Sequence, residues 1–202
     1  MGNSYGASIA KEGLVLYLDA ANIKSYPGSG SDFFDISGMG NHHSITGSAP
    51  YSDGRFTLNG STQGFSRLSS MSGVTTTCTV VIFYATTDTA ELWVRGNQNI
   101  SWFLSASNYN NYYHQNVGSP TNHVDLSTIV RPDSPINYRN GAFHMWEAKN
   151  VNFSTWTAYE WFLYPSPWQM AGSVSAIMVY DKVLSPEESQ KNFNAFRGRY
   201  DI

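Results

Sequence analysis

The sequence is poor in cysteine and in charge, and it contains no long apolar run. A single cysteine, Cys78, excludes an internal disulfide framework and a cysteine-rich metal site. Charged residues make up only 13% of the chain and the formal net charge is −3, so no basic patch for nucleic acid is indicated. No apolar segment approaches the roughly 18 residues that a membrane-spanning helix needs. These absences predict a globular protein that binds neither nucleic acid nor a membrane.

The chain is instead rich in aromatic and β-branched residues, which are separated by turn-forming ones. Its 202 residues are 41% hydrophobic and 15% aromatic, which is enough for a single domain with a sizeable core. β-Branched and aromatic side chains fit the pleated, half-buried surface of a sheet. Clusters of Gly, Asn, Ser and Asp recur at 27–31, 37–41 and 108–111 and indicate turns. This spacing favours an all-β sandwich over alternating strands and helices.

Short apolar segments between the turns predict the strands, whereas the Gly- and Ser-rich residues 20–50 predict a long loop region. Both faces of 13–19 are apolar, which predicts a strand covered on both sides. In 174–180 the apolar positions Val174, Ile177 and Val179 are out of phase by one residue, which predicts a β-bulge. The predicted strands are 13–19, 55–60, 77–85, 91–95, 101–106, 112–116, 143–151, 156–163 and 174–180.

The C-terminal residues change to a helical pattern. Ser185 and Glu188 form a capping box, in which each side chain satisfies the backbone N–H of the other. Phe193 and Phe196 are neighbours on one helix face and could dock on the sandwich. Gly198 is predicted to be the residue that follows the helix.

Two parts of the chain resemble a known family of domains. The first part reads GLVLYLDAANIKSYPGSG at 13–30 and DISGMGN at 35–41. The second reads VYDKVLSPEE at 179–188 and QKNFNAFRGRY at 190–200. Together they resemble the laminin-G-like domains of the concanavalin A-like lectin and glucanase superfamily that occur in virion proteins of tailed bacteriophages. The resemblance implies a two-sheet antiparallel jelly roll and a virion context, but no ligand, because one fold hosts many functions.

Catalytic chemistry finds little support in the sequence. Glycoside hydrolysis needs two facing carboxylates, and no pair of acids spaced by two occurs on a predicted strand. Glu147 and Glu160, single acids on strands predicted to be neighbours, are the remaining candidates, and solvent-facing or hydrogen-bonded acids explain them better. No Gly-x-Ser-x-Gly nucleophile motif occurs, and Cys78 is predicted to be a small buried residue of a strand. The sequence therefore predicts that the protein is not an enzyme.

Glycan binding is better supported, because sugar rings stack on aromatic faces and hydrogen-bond to polar side chains. The tyrosine-rich segment 108–116 and the aromatic segment 156–161 both have this composition. Trp156 and Trp161 are predicted to lie on opposite faces of one strand. The same side chains also serve protein interfaces, so a lectin surface and an assembly surface remain open alternatives. The candidate glycan- or partner-binding residues are Tyr109, Asn110, Asn111, Tyr112, Tyr113, Trp156, Tyr159 and Trp161.

A structural calcium ion is the metal that the resemblance implies, since related folds often carry one that joins the chain ends. Calcium takes about six to eight oxygen ligands. Asp19 follows the first predicted strand and Asp181 follows the last, which makes these two acids the candidate ligands. Asp32 and Asp35 in the loop region are a second candidate pair. Turn capping by the same carboxylates is the alternative.

The predicted organisation is an N-terminal arm at 1–12, a laminin-G-like jelly roll at 13–184 and a C-terminal helix at 185–202 that docks on the sandwich. The predicted function is that of a non-enzymatic bacteriophage virion protein that decorates the capsid or attaches to the tail or fibre. Its expected partners are other virion proteins in a homo-oligomer or larger assembly, and surface glycans. The expected location is the virion surface after synthesis in the host cytoplasm, since residues 1–5 show no secretion signal. A lectin-like host-receptor adhesin is the alternative, and a glycan-degrading enzyme is a more distant one.

Overall fold

The computed structural model describes the backbone of residues 8–87, 92–96, 100–105, 111–114, 118–128, 140–163, 170–200 and 202. These residues form fifteen β-strands and one helix, α1 (Pro186–Tyr200). The strands are β1 (Leu14–Asp19), β2 (Asp32–Phe33), β3 (His43–Thr46), β4 (Tyr51–Ser52), β5 (Arg55–Asn59), β6 (Gly64–Arg67), β7 (Cys78–Ala85), β8 (Leu92–Gly96), β9 (Ile100–Ser105), β10 (Asn111–His114), β11 (Gly118–Val124), β12 (Ser127–Thr128), β13 (Phe143–Val151), β14 (Tyr159–Trp161) and β15 (Ala171–Tyr180).

The strands form two antiparallel sheets that pack face to face. Sheet A has the strand order β12-β11-β13-β7-β15-β5-β4, and β1 pairs with the C-terminal half of β15. Sheet B has the order β10-β9-β8-β14-β6-β3-β2. The prediction of an all-β, two-sheet antiparallel jelly-roll sandwich with a short C-terminal helix is confirmed.

The main core lies between the two sheets and is built by alternation along the strands. In β7, Val80, Ile82 and Tyr84 belong to this core, whereas Val81 and Phe83 face the opposite side of sheet A. All eight residues of β7 are buried, so this strand is covered on both faces. Burial of each large apolar side chain stabilises the fold by roughly 1.5–3 kcal/mol.

Two β-bulges adjust which side chains reach the core. In β15 the register against β7 shifts between Val174 and Ala176, as the phase of the apolar residues predicted. In β1 the register against β15 shifts between Leu14 and Leu16. Leu16 therefore lies in the main core, whereas Leu14 packs on the opposite side of sheet A. Strict alternation along β1 would put both leucines on one face, and this second bulge leaves no signal in the sequence.

Helix α1 covers the outer face of sheet A and encloses a second apolar core. Phe196 stacks on Phe83 of β7 with ring centroids 4.0 Å apart. Tyr200 stacks on Phe143 of β13 at 4.2 Å. Sheet A is therefore the middle layer of three. Among the described residues, no helix is long and apolar enough to cross a membrane.

The start of α1 agrees with the predicted capping box, but its end lies further along the chain than predicted. Ser185 N donates to Glu188 Oε2 at 2.9 Å, and Glu188 N donates to Ser185 Oγ at 3.3 Å. Gly198 was expected to follow the helix, yet the helix continues to Tyr200. Packing explains the extension, because Tyr200 stacks on sheet A and Arg199 pairs with Asp19 at 2.8 Å.

Residues 8–11, the described part of the predicted N-terminal arm, lead into β1 along the same side of sheet A. Ile9 and Ala10 are buried in the second core. Ala10 N donates to Asn192 Oδ1 of α1 at 2.9 Å, and Tyr180 OH donates to Ala10 O at 3.1 Å. The residues that precede β1 and the helix that follows β15 thus form one covering layer on sheet A.

The DISGMGN segment at 35–41 covers the outer edge of β1. Asp35 accepts hydrogen bonds from Tyr17 N at 2.9 Å and from Asn41 N at 2.8 Å. Ser37 Oγ and Asn41 Nδ2 both donate to Val15 O, at 3.1 and 2.7 Å. These contacts satisfy backbone groups of an edge strand that could otherwise pair with another chain. A segment that carries the family resemblance therefore has a structural role in this chain.

Candidate functional site

The outer faces of the two sheets differ in what covers them. Sheet A carries α1 and residues 9–10, which close an apolar core over it. The described residues place no such layer over sheet B, where Ser44 is exposed and Ser66 is half-buried. Sheet B therefore presents an accessible sheet face.

A row of polar residues crosses this face. Residues that pair directly on neighbouring antiparallel strands share a face of the sheet. Along the strands these polar residues alternate with buried ones such as Phe65 and Trp161, which places the row outward. Five strands spaced about 4.8 Å apart give it a length of about 19 Å. This polar row, in register order, consists of Asp32, Ser44, Ser66, Glu160 and Arg95.

Arg95 and Glu160 form an ion pair at the centre of sheet B. Arg95 Nε lies 3.4 Å from Glu160 Oε2, and the two side chains are 23% and 29% exposed. A guanidinium offers several N–H donors and a carboxylate offers acceptor oxygens. The pair can therefore bind hydroxyl groups through donors and acceptors together, without net charge.

Hydroxyl-bearing residues continue the row on both sides of this pair. Ser66 is the register partner of Glu160, and its Oγ lies 3.3 Å from Thr46 Oγ1. On the other side, Ser101 of β9 is the register partner of Arg95. The centre of sheet B thus combines one cation, one anion and small polar residues.

Aromatic residues share the next row of backbone pairing. Trp93 pairs with Phe103, and Phe103 pairs with Tyr113, so this aromatic row crosses β8, β9 and β10.

The structure describes the backbone of part of the tyrosine-rich segment predicted from the sequence. Asn111, Tyr112 and Tyr113 lie in β10, where Tyr112 pairs with Leu104 and Tyr113 pairs with Phe103. Residues 109 and 110, the predicted Tyr109 and Asn110, lie outside the described part of the chain.

An apolar flank borders one side of the polar row. It consists of Phe34, His42 and Leu68, which lie just beyond the ends of β2, β3 and β6. The Phe34 and His42 rings are 5.5 Å apart, and Leu68 is 80% exposed. The polar row therefore has apolar surface along one side.

The second predicted binding segment is buried, so the prediction is wrong for these residues. Trp156, Tyr159 and Trp161 are each at most 1% exposed and belong to the main core. Trp156 lies before β14 rather than in it, so the expected separation of the two tryptophans onto opposite faces does not occur. The outward residue of this segment is Glu160, which alternates with Tyr159 and Trp161.

A buried histidine lies directly beneath the polar row. His43 Nε2 accepts a hydrogen bond from Trp161 Nε1 at 2.8 Å, and its Nδ1 lies 3.0 Å from Asn41 O. Because the carbonyl can only accept, Nδ1 carries the proton. Burial lowers the pKa of His43 to about 4, so the ring is neutral at neutral pH.

The two acids predicted to share a calcium ion are far apart. Asp19 is the register partner of Ala176, at one end of the β1–β15 pair. Asp181 N donates to Gly13 O, at the other end of that pair. Six residues of extended strand separate these ends by about 20 Å. The prediction fails because β1 and β15 run antiparallel. The acid that follows β1 and the acid that follows β15 therefore lie at opposite ends of the strand pair.

Two of the four candidate metal ligands, Asp19 and Asp35, have carboxylates that accept hydrogen bonds or pair with a cation. Asp19 accepts from Tyr17 OH at 2.8 Å and pairs with Arg199 at 2.8 Å. Asp35 accepts four hydrogen bonds from N–H and O–H groups. Asp32 belongs to the polar row, where it pairs with Ser44. The part of the chain that the structure describes contains no group of three His, Cys, Asp or Glu side chains able to hold a metal ion.

Glu147 and Glu160, the carboxylates considered for hydrolysis, lie on different sheets and face away from each other. Glu147 of β13 is 1% exposed beneath α1, where Ser189 Oγ lies 2.8 Å and Lys149 Nζ 3.1 Å from its carboxylate. Burial raises the pKa of Glu147, against the opposing effects of Lys149 and Ser189. Since the whole sandwich separates the two acids, they cannot flank one glycosidic bond.

Comparison with known proteins supports the fold. No protein-family model and no curated protein sequence matches the chain. A solved structure of Trypanosoma rangeli sialidase in complex with 2,3-difluorosialic acid is 12% identical, with a TM-score of 0.58, over 98% of this chain and 35% of that one. The ligand-binding domain of botulinum neurotoxin serotype D in complex with N-acetylneuraminic acid is 9% identical, with a TM-score of 0.55, over 91% and 51%.

At these identities the likeness establishes the architecture alone. The chain spans between about a third and half of the length of the solved structures it matches. The protein is a two-sheet antiparallel jelly-roll sandwich, and within the described residues its accessible sheet face is that of sheet B.

Proposed function

We propose that this protein is a non-enzymatic, glycan-binding β-sandwich on the surface of a tailed-bacteriophage virion. The observation that carries the proposal is the outer face of sheet B, over which the described residues place no covering layer, with Arg95 and Glu160 3.4 Å apart at its centre. Sugar hydroxyls both donate and accept hydrogen bonds, and this pair supplies acceptors and donors together. The apolar flank contains residue types on which sugar rings stack.

The similar solved structures add support for a glycan ligand. The sialidase was solved with 2,3-difluorosialic acid and the neurotoxin domain with N-acetylneuraminic acid. Both proteins therefore bind a sugar and contain a sandwich of this type. Because one fold hosts many functions, this agreement adds to the chemistry of sheet B and does not replace it.

The non-enzymatic part of the proposal is supported by the placement of the acids. Glu160 faces outward on sheet B next to a guanidinium, and Glu147 is buried beneath α1. An outward Arg–Glu pair is suited to holding a ligand, and the two acids do not form the facing pair that most glycoside hydrolases use.

The virion part of the proposal is supported by the two segments that resemble phage virion domains. In this chain the first segment covers the edge of β1 and the second forms the end of β15 and α1. Both segments serve folding, so they support membership of that group of domains without indicating a ligand.

The glycan part is tested by incubating the purified full chain with a glycan array. We expect retention of a defined set of glycans, and a loss of affinity of about tenfold to a hundredfold in Arg95→Ala, because hydrogen bonds to a charged group are lost. The matched control is Arg55→Ala, which removes a surface arginine paired with Asp53 on sheet A. No retained glycan, or equal effects of the two variants, would contradict the proposal.

The virion part is tested by cryo-electron microscopy of purified particles. Density of this sandwich repeated over the capsid lattice would support a decoration role, and density on the tail or fibre would support an adhesin. Absence of the chain from particles would contradict the virion part of the proposal. The glycan-binding part would still stand.

A further inference from the structure

We infer that the ligand of this face is a neutral, extended oligosaccharide that lies across the strands of sheet B, rather than a sialylated or otherwise acidic sugar. The inference rests on the proposed glycan-binding function. It separates this chain from the two solved structures above, whose sugars are sialic acids.

The charges along the polar row disfavour an acidic ligand. Arg95 is the cation of this row, and Glu160 lies 3.4 Å from it. Asp32 adds a second negative charge, so the row carries a formal charge of −1. A ligand carboxylate approaching Arg95 would also approach Glu160, and like charges at such distances repel.

The second arginine of this part of sheet B is not available for an anion. Arg67 ends β6 and donates to backbone oxygens, namely Ser70 O at 3.1 Å and His42 O at 3.1 Å. Its register partner is the buried Tyr159, which assigns Arg67 to the opposite face of the sheet. No second cation therefore compensates Glu160 and Asp32 within the polar row.

The dimensions of the polar row favour an extended ligand. The row is about 19 Å long, with one polar side chain on each of five strands at a spacing of about 4.8 Å. A single monosaccharide would contact only one or two of these strands. A linear neutral oligosaccharide presents hydroxyl groups along its whole length and can contact Ser44, Ser66 and the Arg95–Glu160 pair together.

The apolar flank of the row suits the amphipathic character of such a chain. Sugar hydroxyls lie at the ring edges and carbon-bound hydrogens at the ring faces, so a bound chain needs polar and apolar contacts side by side. The exposed Leu68 and the Phe34 ring provide apolar surface along one border.

The inference is tested by isothermal titration calorimetry of the full chain with two matched sets of probes. The first set is neutral oligosaccharides from disaccharide to pentasaccharide, and the second is the same oligosaccharides capped with N-acetylneuraminic acid. We expect affinity for the neutral set to rise about tenfold with length, because more of the row is contacted. We expect the cap to lower affinity about tenfold through repulsion by Glu160.

Glu160→Gln tests the cause of this preference, since it removes the charge and keeps the shape. The ratio of the affinity for the neutral oligosaccharides to that for the capped ones should then move towards one. The matched control is Glu12→Gln, which removes the same charge from an exposed residue paired with Lys182 near the end of β15. In that variant the ratio should stay as in the unmodified chain.

The outcomes separate this inference from the function on which it rests. Tighter binding of the capped set, or equal affinity for disaccharide and pentasaccharide, overturns the inference while glycan binding stands. Equal shifts of the ratio in Glu160→Gln and Glu12→Gln also overturn it, because a general charge effect would then explain the preference. Binding of neither set overturns the proposed function itself.

Discussion

The two outer faces of the sandwich carry opposite kinds of residue. On sheet A, the outward positions of β7, β13 and β15 include the apolar Phe83, Met145 and Met178, and all three are buried beneath the covering layer. On sheet B, the outward positions Ser66 and Glu160 are polar and only partly buried. An apolar sheet face must be covered by another layer. The residues at outward positions therefore decide which face is closed and which stays accessible.

The same comparison applies to one pair of glutamates. Glu147 faces outward from sheet A and is held by Lys149 and Ser189 beneath α1. Glu160 faces outward from sheet B and is paired with Arg95 at a partly exposed position. Each acid has a cationic partner, but only Glu160 can reach a ligand. The same kind of ion pair thus holds a helix on one face and lies at a partly exposed position on the other.

The largest expected effect concerns the covering layer of sheet A. Phe196→Ala removes a ring stacked 4.0 Å from Phe83 and should lower the free energy of unfolding by about 3–5 kcal/mol. Leu68→Ala removes an exposed apolar residue from the border of sheet B and should change it by less than about 0.5 kcal/mol. Urea denaturation measures both. If Phe196→Ala is too unstable to give a folded baseline in urea, hydrogen exchange in α1 gives the same comparison, and equal protection in both variants would contradict it.

The next effect concerns pH and the histidine beneath sheet B. The pKa of His43 is lowered from 6.5 to about 4 by burial, so the unfolded chain binds more protons than the folded one between these values. The contribution of neutral His43 to the free energy of unfolding is complete above pH 6.5. It is lost as the pH falls towards 4, by a total on the order of 3 kcal/mol. His43→Gln should flatten this dependence in denaturation experiments across that range. An equally steep dependence in His43→Gln would contradict this assignment.

Much of the fold follows from local patterns of strong periodicity. The strand predicted at 143–151 coincides with β13, and 77–85 differs from β7 by one residue. The capping box at Ser185 identified the start of α1. These elements carry continuous apolar alternation or a specific end signal, and both depend only on neighbouring residues.

Short strands depend on their partners and were missed. Residues 20–50 were predicted to be a loop region, yet they contain β2 and β3. β2 has two residues and carries no periodicity of its own, so its pairing with β3 decides its conformation. Tertiary contacts of this kind have no counterpart in a local pattern.

The candidate site was predicted only in part, because aromatic composition does not distinguish an outer face from a core. Trp156 and Trp161 suit a sugar platform by residue type but fill the core. The available signal was alternation: once Trp161 is placed inside, Glu160 must face outward. The pairing of Glu160 with Arg95 could not be predicted, since it depends on the order of strands in sheet B.

A smaller effect on stability is expected at Glu147. Glu147→Gln keeps the shape of the side chain but leaves Lys149 without its buried partner charge, 3.1 Å away. We expect the free energy of unfolding to fall by about 1–3 kcal/mol, since a buried charge and its hydrogen bonds are left incompletely satisfied. Thermal or urea denaturation measures the loss. Ser189→Ala, which removes the other partner of this carboxylate, should lower stability in the same direction; no loss in either variant would contradict the structural role of Glu147.

The smallest effect on stability is expected at Glu160, and it completes the comparison of the two faces. A partly exposed ion pair contributes about 0.2–1 kcal/mol, so Glu160→Gln, Arg95→Gln and the double variant should each unfold within about 1 kcal/mol of the unmodified chain. A double-mutant cycle measures the coupling between the two side chains. A stability loss at Glu160 as large as that at Glu147 would mean that sheet B needs its ion pair for folding. Small stability changes combined with a clear change in glycan affinity would instead identify Arg95 and Glu160 as residues kept for recognition.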